Sequence, residues 1–373
     1  MISCLREPVA KRLLGPAADG RSLPDRLGAP DDTFWYATGR SALFQALRAL
    51  SLEAGSAVLM PAYVAAGVID PVRALGLGVR FYETGRDLIA DPESIRTSIR
   101  KDGSIRVLIV IHPMGRPQPV ASIRAVCGER GIVFIEDCAQ ALFCSDDKGR
   151  PLGSCGDIAL FSLTKHIGFA EGAAIVFHDR NLPRPERARA RPWRTKMATF
   201  WYRAHLSLDF RMHRTSNTAL AGRLLALSGV CYDAYYRIAS RDFRALRMAR
   251  STWRRIGRLR CEEVALRRRS NLSQLYRTVR PSAFEWVFPD DMPGWMPMAV
   301  PAMAARGGRS ALVAKAMQRG VFLASLCDRW DFLPDARNFP NERDYLARHF
   351  LVPVNEHLDS SQMAELTDVL NEL

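Results

Sequence analysis

Residues 132–140 read IVFIEDCAQ, and residues 153–168 read GSCGDIALFSLTKHIG. In the first stretch a short apolar run ends in two adjacent acids, Glu136 and Asp137. In the second, the apolar run 158–161 leads to Ser162 and, three residues on, to Lys165. Runs of this length, apolar throughout and bounded by Gly, Asp or Pro, describe strands buried on both faces. Similar runs stand at 57–60, 79–82, 107–112 and 173–177, with amphipathic stretches such as SALFQALRAL and VASIRAVCGERG between them. This alternation predicts an α/β fold, a mostly parallel sheet covered by helices. In such a sheet ligands gather at the carboxyl ends of the strands, where Asp137 and Lys165 both fall.

Beyond residue 180 the character changes. From Asn181 to Ser270 there are 22 Lys and Arg against 6 Asp and Glu, whereas the rest of the chain holds 31 against 33. The net charge of +14 therefore belongs to one segment. That segment reads as helical; from about residue 282 short strands and helices return, closing on SSQMAELTDVLNEL. The expected organisation over 373 residues is a large domain (1–180), a basic helical insert (181–270) and a small C-terminal α/β domain (271–373). The opening residues MISCLREPVAKRLLGP lack the apolar run of a signal peptide, and no 18 apolar residues follow one another. Eight cysteines (Cys4, Cys127, Cys138, Cys144, Cys155, Cys231, Cys261, Cys327) form no C-x-x-C pair, which suits reduced thiols and a cytoplasmic protein. No metal-ligand spacing stands out.

Three features carry chemistry. A carboxylate at a strand end, such as Asp137, is what a pyridoxal-phosphate (PLP) enzyme needs to keep the pyridine nitrogen protonated; the bland reading is a helix cap. Lys165, three residues after Ser162, supplies an amine for the cofactor aldehyde with a hydroxyl near its phosphate; the bland reading is a surface lysine. The same S-x-x-K spacing occurs in serine β-lactamases, whose companion K-T-G and S-D-N motifs are absent. Near the N-terminus, ATGRSALFQAL opens a helix at Gly39, Arg40 and Ser41, whose free amides suit a phosphate.

The order of these features, with the segments TGRSAL, LMPAYVAAGV, VIHPMGRP, FIEDCAQAL, GSCGDIALFSLTK and EGAAIVFHD, resembles the DegT/DnrJ/StrS family of aminotransferases. The resemblance implies a fold type I PLP-transferase and a homodimer with active sites at the subunit interface. It implies a reaction between an amino-acid donor and a keto acceptor, sugar-like or carrier-linked. Lys165 then corresponds to the Schiff-base lysine and Asp137 to the partner of the pyridine nitrogen. Gln140 corresponds to a polar residue near the cofactor, Ser162 to a phosphate ligand, and Gly39, Arg40 and Ser41 to the phosphate-binding helix start. Tyr63 is the one aromatic of the P-A-Y segment, since Ala65 stands where relatives carry an aromatic. The G-Y-N-x-R motif of sugar aminotransferases is missing. His112 and Met114 are expected to be structural.

Two other readings stay open: another PLP reaction on the same fold, or a non-catalytic relative whose basic segment binds nucleic acid or membrane. For residues 184–269 the expected partner is anionic. It is either the phosphates of a carrier-linked acceptor or an acidic membrane face, the latter making the protein peripheral at a membrane. Nucleic acid is disfavoured, since no motif for it occurs.

Overall fold

A computed structural model describes residues 2–3, 11–16, 20–29, 31–215, 217–240, 242–325 and 338–373. Seven strands form one sheet in the order Thr33–Tyr36, Ala173–Phe177, Ile158–Ser162, Val133–Asp137, Ile105–Ile111, Ala57–Pro61 and Gly78–Tyr82. The last five pair in parallel, while Ala173–Phe177 runs antiparallel to both its neighbours.

Side-chain alternation explains why the inner strands are apolar through their middles, while the edge strand Gly78–Tyr82 carries the exposed Arg80. Val58 and Met60 face a core shared with Leu43 and Val68, on the helices Gly39–Ala49 and Ala66–Ala74. Ala57 and Leu59 face the opposite core, with Ile95 and Ile123 on the helices Pro92–Lys101 and Val120–Gly128. With both faces covered, no position is left for a polar residue until the strand ends. There the carboxyl ends of Ile105–Ile111, Val133–Asp137 and Ile158–Ser162 form one rim.

The strand Thr33–Tyr36 was not legible as a strand, because its four residues alternate too briefly to stand out. The reversed direction of Ala173–Phe177 was also hidden, since an apolar run carries no sign of its polarity.

The basic segment folds as two long helices, Trp193–His213 and Thr218–Ala239, packed as a hairpin, followed by Arg250–Ile256 and Cys261–Thr278. Farther on, a three-stranded antiparallel sheet runs in the order His349–Pro353, Ala299–Ala304, Phe284–Trp286. The helix Ser360–Asn371 starts at a capping box between Asp359 and Gln362. Ile2–Ser3 pairs in parallel with Val321–Phe322, so the first described residues join this C-terminal part.

Cys127, Cys138, Cys144 and Cys231 are buried free thiols and Cys261 is buried; Cys4 and Cys327 lie outside the described residues. Burial pushes the Cys144 thiol up to about 11, where it stays protonated and unreactive. Among the described residues no helix is long and apolar enough to cross a membrane.

Candidate active site

Adjacent residues of a strand point to opposite faces, so Glu136 and Asp137 part company. Glu136 is buried and accepts from the amides of Gly153 (3.2 Å), Cys155 (2.7 Å) and Gly156 (2.5 Å), while His112 Nε2 lies 3.0 Å away. Burial alone would raise its carboxyl, but His112 and the two amides of Gly156 and Cys155 hold it below the ordinary value of 4.5. The GSCGD stretch thus folds as a cradle for this carboxylate. Gly153 sits at φ +91°, and a Cβ there would meet Phe161 Cζ at 2.7 Å. His112, Glu136 and Cys138 bring three metal-ligand atoms within 4.8 Å of one another. The Glu136 oxygens are already met by four partners, His112 among them, and burial holds the Cys138 thiol well above its usual range.

Asp137 faces the other way. Its Oδ1 accepts from the Ala139 amide at 2.9 Å, and Oδ2 accepts from nothing among the described residues. It lines a cavity with Tyr63, Ala65, Ile111, Gln140 and Lys165. Ser162 is the last residue of its strand and Lys165 stands in the single helical turn Leu163–His166 that follows.

That turn is fastened from two sides. Tyr202 on the hairpin donates its hydroxyl to the Thr164 carbonyl (3.2 Å). On the other side, Arg268 donates to the His166 carbonyl (2.5 Å) and ring Nε2 (2.6 Å), and its Nε donates to Glu356 (2.7 Å). His166, Arg268 and Glu356 are all buried, so the pair is shielded from water and removing one member would strand the other. Tyr202 stood out in the sequence only as one of the aromatics of the basic segment, and nothing marked Arg268 or Glu356; Arg268 is the middle of three consecutive arginines.

Gln140 Oε1 accepts from the Met114 amide (2.8 Å), and Trp295 Nε1 donates to the Met114 carbonyl (2.9 Å). Met114 takes φ +49°, a left-handed conformation costly for a non-glycine residue and held here from both ends. Met114 thus serves through its backbone. Tyr63 is buried with its ring edge-on to Tyr345 at 5.2 Å.

At the helix Gly39–Ala49, Thr38 caps the start by accepting from the Ser41 amide (3.2 Å). Ser41 is buried and its hydroxyl is directed at the Asp242 carbonyl (3.4 Å). Arg40, expected at a phosphate, turns aside: its guanidinium lies over the Tyr236 ring at 4.5 Å, with Nε 3.7 Å from Asp70. Ser162 Oγ sits 3.1 Å from Thr164 Oγ1. The amides of Gly39 and Arg40 meet no acceptor among the described residues, and a Cβ on Gly39 would have no atom within 4 Å. An amine, a half-satisfied carboxylate, and a helix start with open amides are the donor set a PLP molecule needs, so the residues present fit the group.

Comparison with known proteins agrees. Residues 35–230 match the model of the DegT/DnrJ/EryC1/StrS aminotransferase family. A GDP-perosamine synthase of Vibrio cholerae is 29% identical over 37% of this chain and 38% of its own length. A UDP-N-acetyl-3-dehydro-alpha-D-glucosamine 3-aminotransferase of Acidithiobacillus ferrooxidans is 33% identical over 40% of each chain. The chain thus spans about two fifths of the length of these relatives. Among solved structures, a sugar aminotransferase from Micromonospora echinospora superposes with a TM-score of 0.66 at 18% identity, covering 99% of both chains. An aminotransferase from Streptoalloteichus hindustanus gives 0.66 at 16% identity, covering 92% of this chain and 85% of its own. These structures share the fold type I architecture. With a family model matched over more than half its length, the chain belongs to the DegT/DnrJ/EryC1/StrS aminotransferase family, whose members depend on PLP.

Proposed function

We propose that this protein is a PLP-dependent aminotransferase moving an amino group from an amino-acid donor to the keto group of a sugar-like acceptor on a phosphate-bearing carrier. The convergence of Asp137, Gln140, Tyr63 and Lys165 on one cavity carries this reading. The names of the sugar-aminating relatives direct it toward a keto sugar.

PLP, when bound, supplies an electron sink for the substrate Cα. Lys165 Nζ holds the group and takes the proton from that carbon, a transfer of the kind worth about 10² to 10⁴ in rate. Asp137 Oδ2 keeps the ring nitrogen protonated. Gly39 and Arg40 give their amides, and Ser162 its hydroxyl, to the phosphate side, Ser41 holds the helix start through the Asp242 carbonyl, and Tyr63 walls the ring. Gln140 shapes the floor by fixing Met114. In this reading residues 1–180 bind the group, 181–270 form an insert and 271–373 a smaller domain. The working unit is a homodimer in the cytoplasm, and residues 184–269 meet an anionic partner.

Mixing the protein with PLP and then glutamate tests the proposal. The expected result, once unbound PLP is removed by gel filtration, is protein-bound visible absorbance that borohydride fixes to the chain and that shifts on adding the donor; protein that emerges colourless would refute it.

A further inference from the structure

We infer that the exposed face of the hairpin Trp193–His213 and Thr218–Ala239 is a docking surface for an anionic lipid bilayer. This rests on the reading that residues 184–269 meet an anionic partner, and names that partner. On the first helix Trp193 (67% exposed), Met197 and Phe200 (58% exposed) stand in line toward water. At 3.6 residues per turn Lys196, Arg203 and Arg214 fall within about 20° of one another on the flank of that line, and the exposed Arg211 falls in line with Trp193. On the second helix Leu227 (52% exposed) and Val230 (57% exposed) face water beside Arg223. The two helices and the Arg214 cap together carry seven Lys and Arg and two acids, and neither acid is exposed. Asp209 is buried against Ser228 and 3.4 Å from His205, and Asp233 is half-buried. Apolar tips with bases beside them and no exposed carboxylate match the headgroup boundary of an anionic membrane. A second copy of this chain does not fit, because a two-fold contact sets a patch against itself and would oppose these bases with no acid to pair them. Nucleic acid would leave Trp193, Phe200 and Val230 without apolar partners.

Sedimentation with phosphatidylglycerol vesicles against phosphatidylcholine vesicles, at low and high salt, tests the inference on PLP-loaded protein. The expected result is binding to the anionic vesicles alone, weakened by salt. In K196Q/R203Q/R211Q/R214Q, binding should fall roughly fivefold per base removed. W193S/F200S should weaken it at every salt concentration. Both variants should keep the wild-type PLP absorbance and donor-induced shift, showing that the fold is intact. Equal binding to neutral vesicles, or no vesicle binding, would overturn the inference. So would a dimer that falls to monomer in W193S/F200S, which would give the face to a second copy. Inorganic pyrophosphate held by the four bases, with vesicles ignored, would overturn the lipid and keep the anionic partner. A missing donor-induced shift with vesicle binding intact would instead fail the aminotransferase reading alone.

Discussion

Glu136 and Asp137 are neighbours in the chain, both buried carboxylates at the end of one strand, yet the fold treats them in opposite ways. Glu136 is met by three amides and a histidine ring. Among the described residues Asp137 is met by a single amide, and it lines the same cavity as Lys165. A buried carboxylate with every lone pair engaged can only hold structure together. One with an oxygen left over pays for its burial through something else, and for Asp137 we propose that this is a bound group. The difference separates scaffold from site where residue type cannot.

The comparison can be broken most sharply at Lys165. Lys165→Ala should fold as wild type and lose transamination by about a thousandfold or more, with no borohydride-reducible absorbance. Next, Asp137→Asn should still bind PLP but turn over about 10²-fold more slowly, with little change in denaturation midpoint. Glu136→Gln should show the reverse balance, losing about 2–3 kcal/mol of stability in urea as the amide cradle loses its charge. If the two variants exchanged these signatures, the division between scaffold and site would be wrong.

A pH titration refines the contrast. Because the Glu136 carboxyl is held below 4.5, its contribution to stability is present above that pH. It is lost as pH falls through the lower folded value. Thermal unfolding should therefore show an acid-side loss between wild type and Glu136→Gln that narrows below pH 4.5. The smallest effect is expected at Tyr202→Phe, which removes one hydrogen bond to the Thr164 carbonyl and should cost about 1 kcal/mol, with a modest fall in kcat. An unchanged kcat would show that Arg268 alone fixes the lysine turn.

Much of the sheet was legible because a strand covered on both faces must be apolar throughout. All six apolar runs ended within two residues of the observed strands, and Ile158–Ser162 and Ala173–Phe177 were met at both ends. The positions of Asp137, Gln140 and Lys165 beside one cavity followed from strand ends sharing a rim. Arg40 was misleading: a cation at a helix start suits phosphate, but its long side chain reached Tyr236 and Asp70 instead. The basic segment was legible as helical and Arg-rich, but which of its residues face water was not.

By itself the sequence determined the parallel α/β class, the strand ends that gather the chemistry, and the candidate lysine and carboxylate. These follow from local periodicity and from the cost of burying a charge. Only the tertiary structure decided which of two adjacent acids is scaffold, that His166 is locked to Arg268, 102 residues away, and that Tyr202 reaches the lysine turn. Those outcomes depend on contacts between residues far apart in the chain. Local pattern carries no information about which distant donor will arrive at a given acceptor.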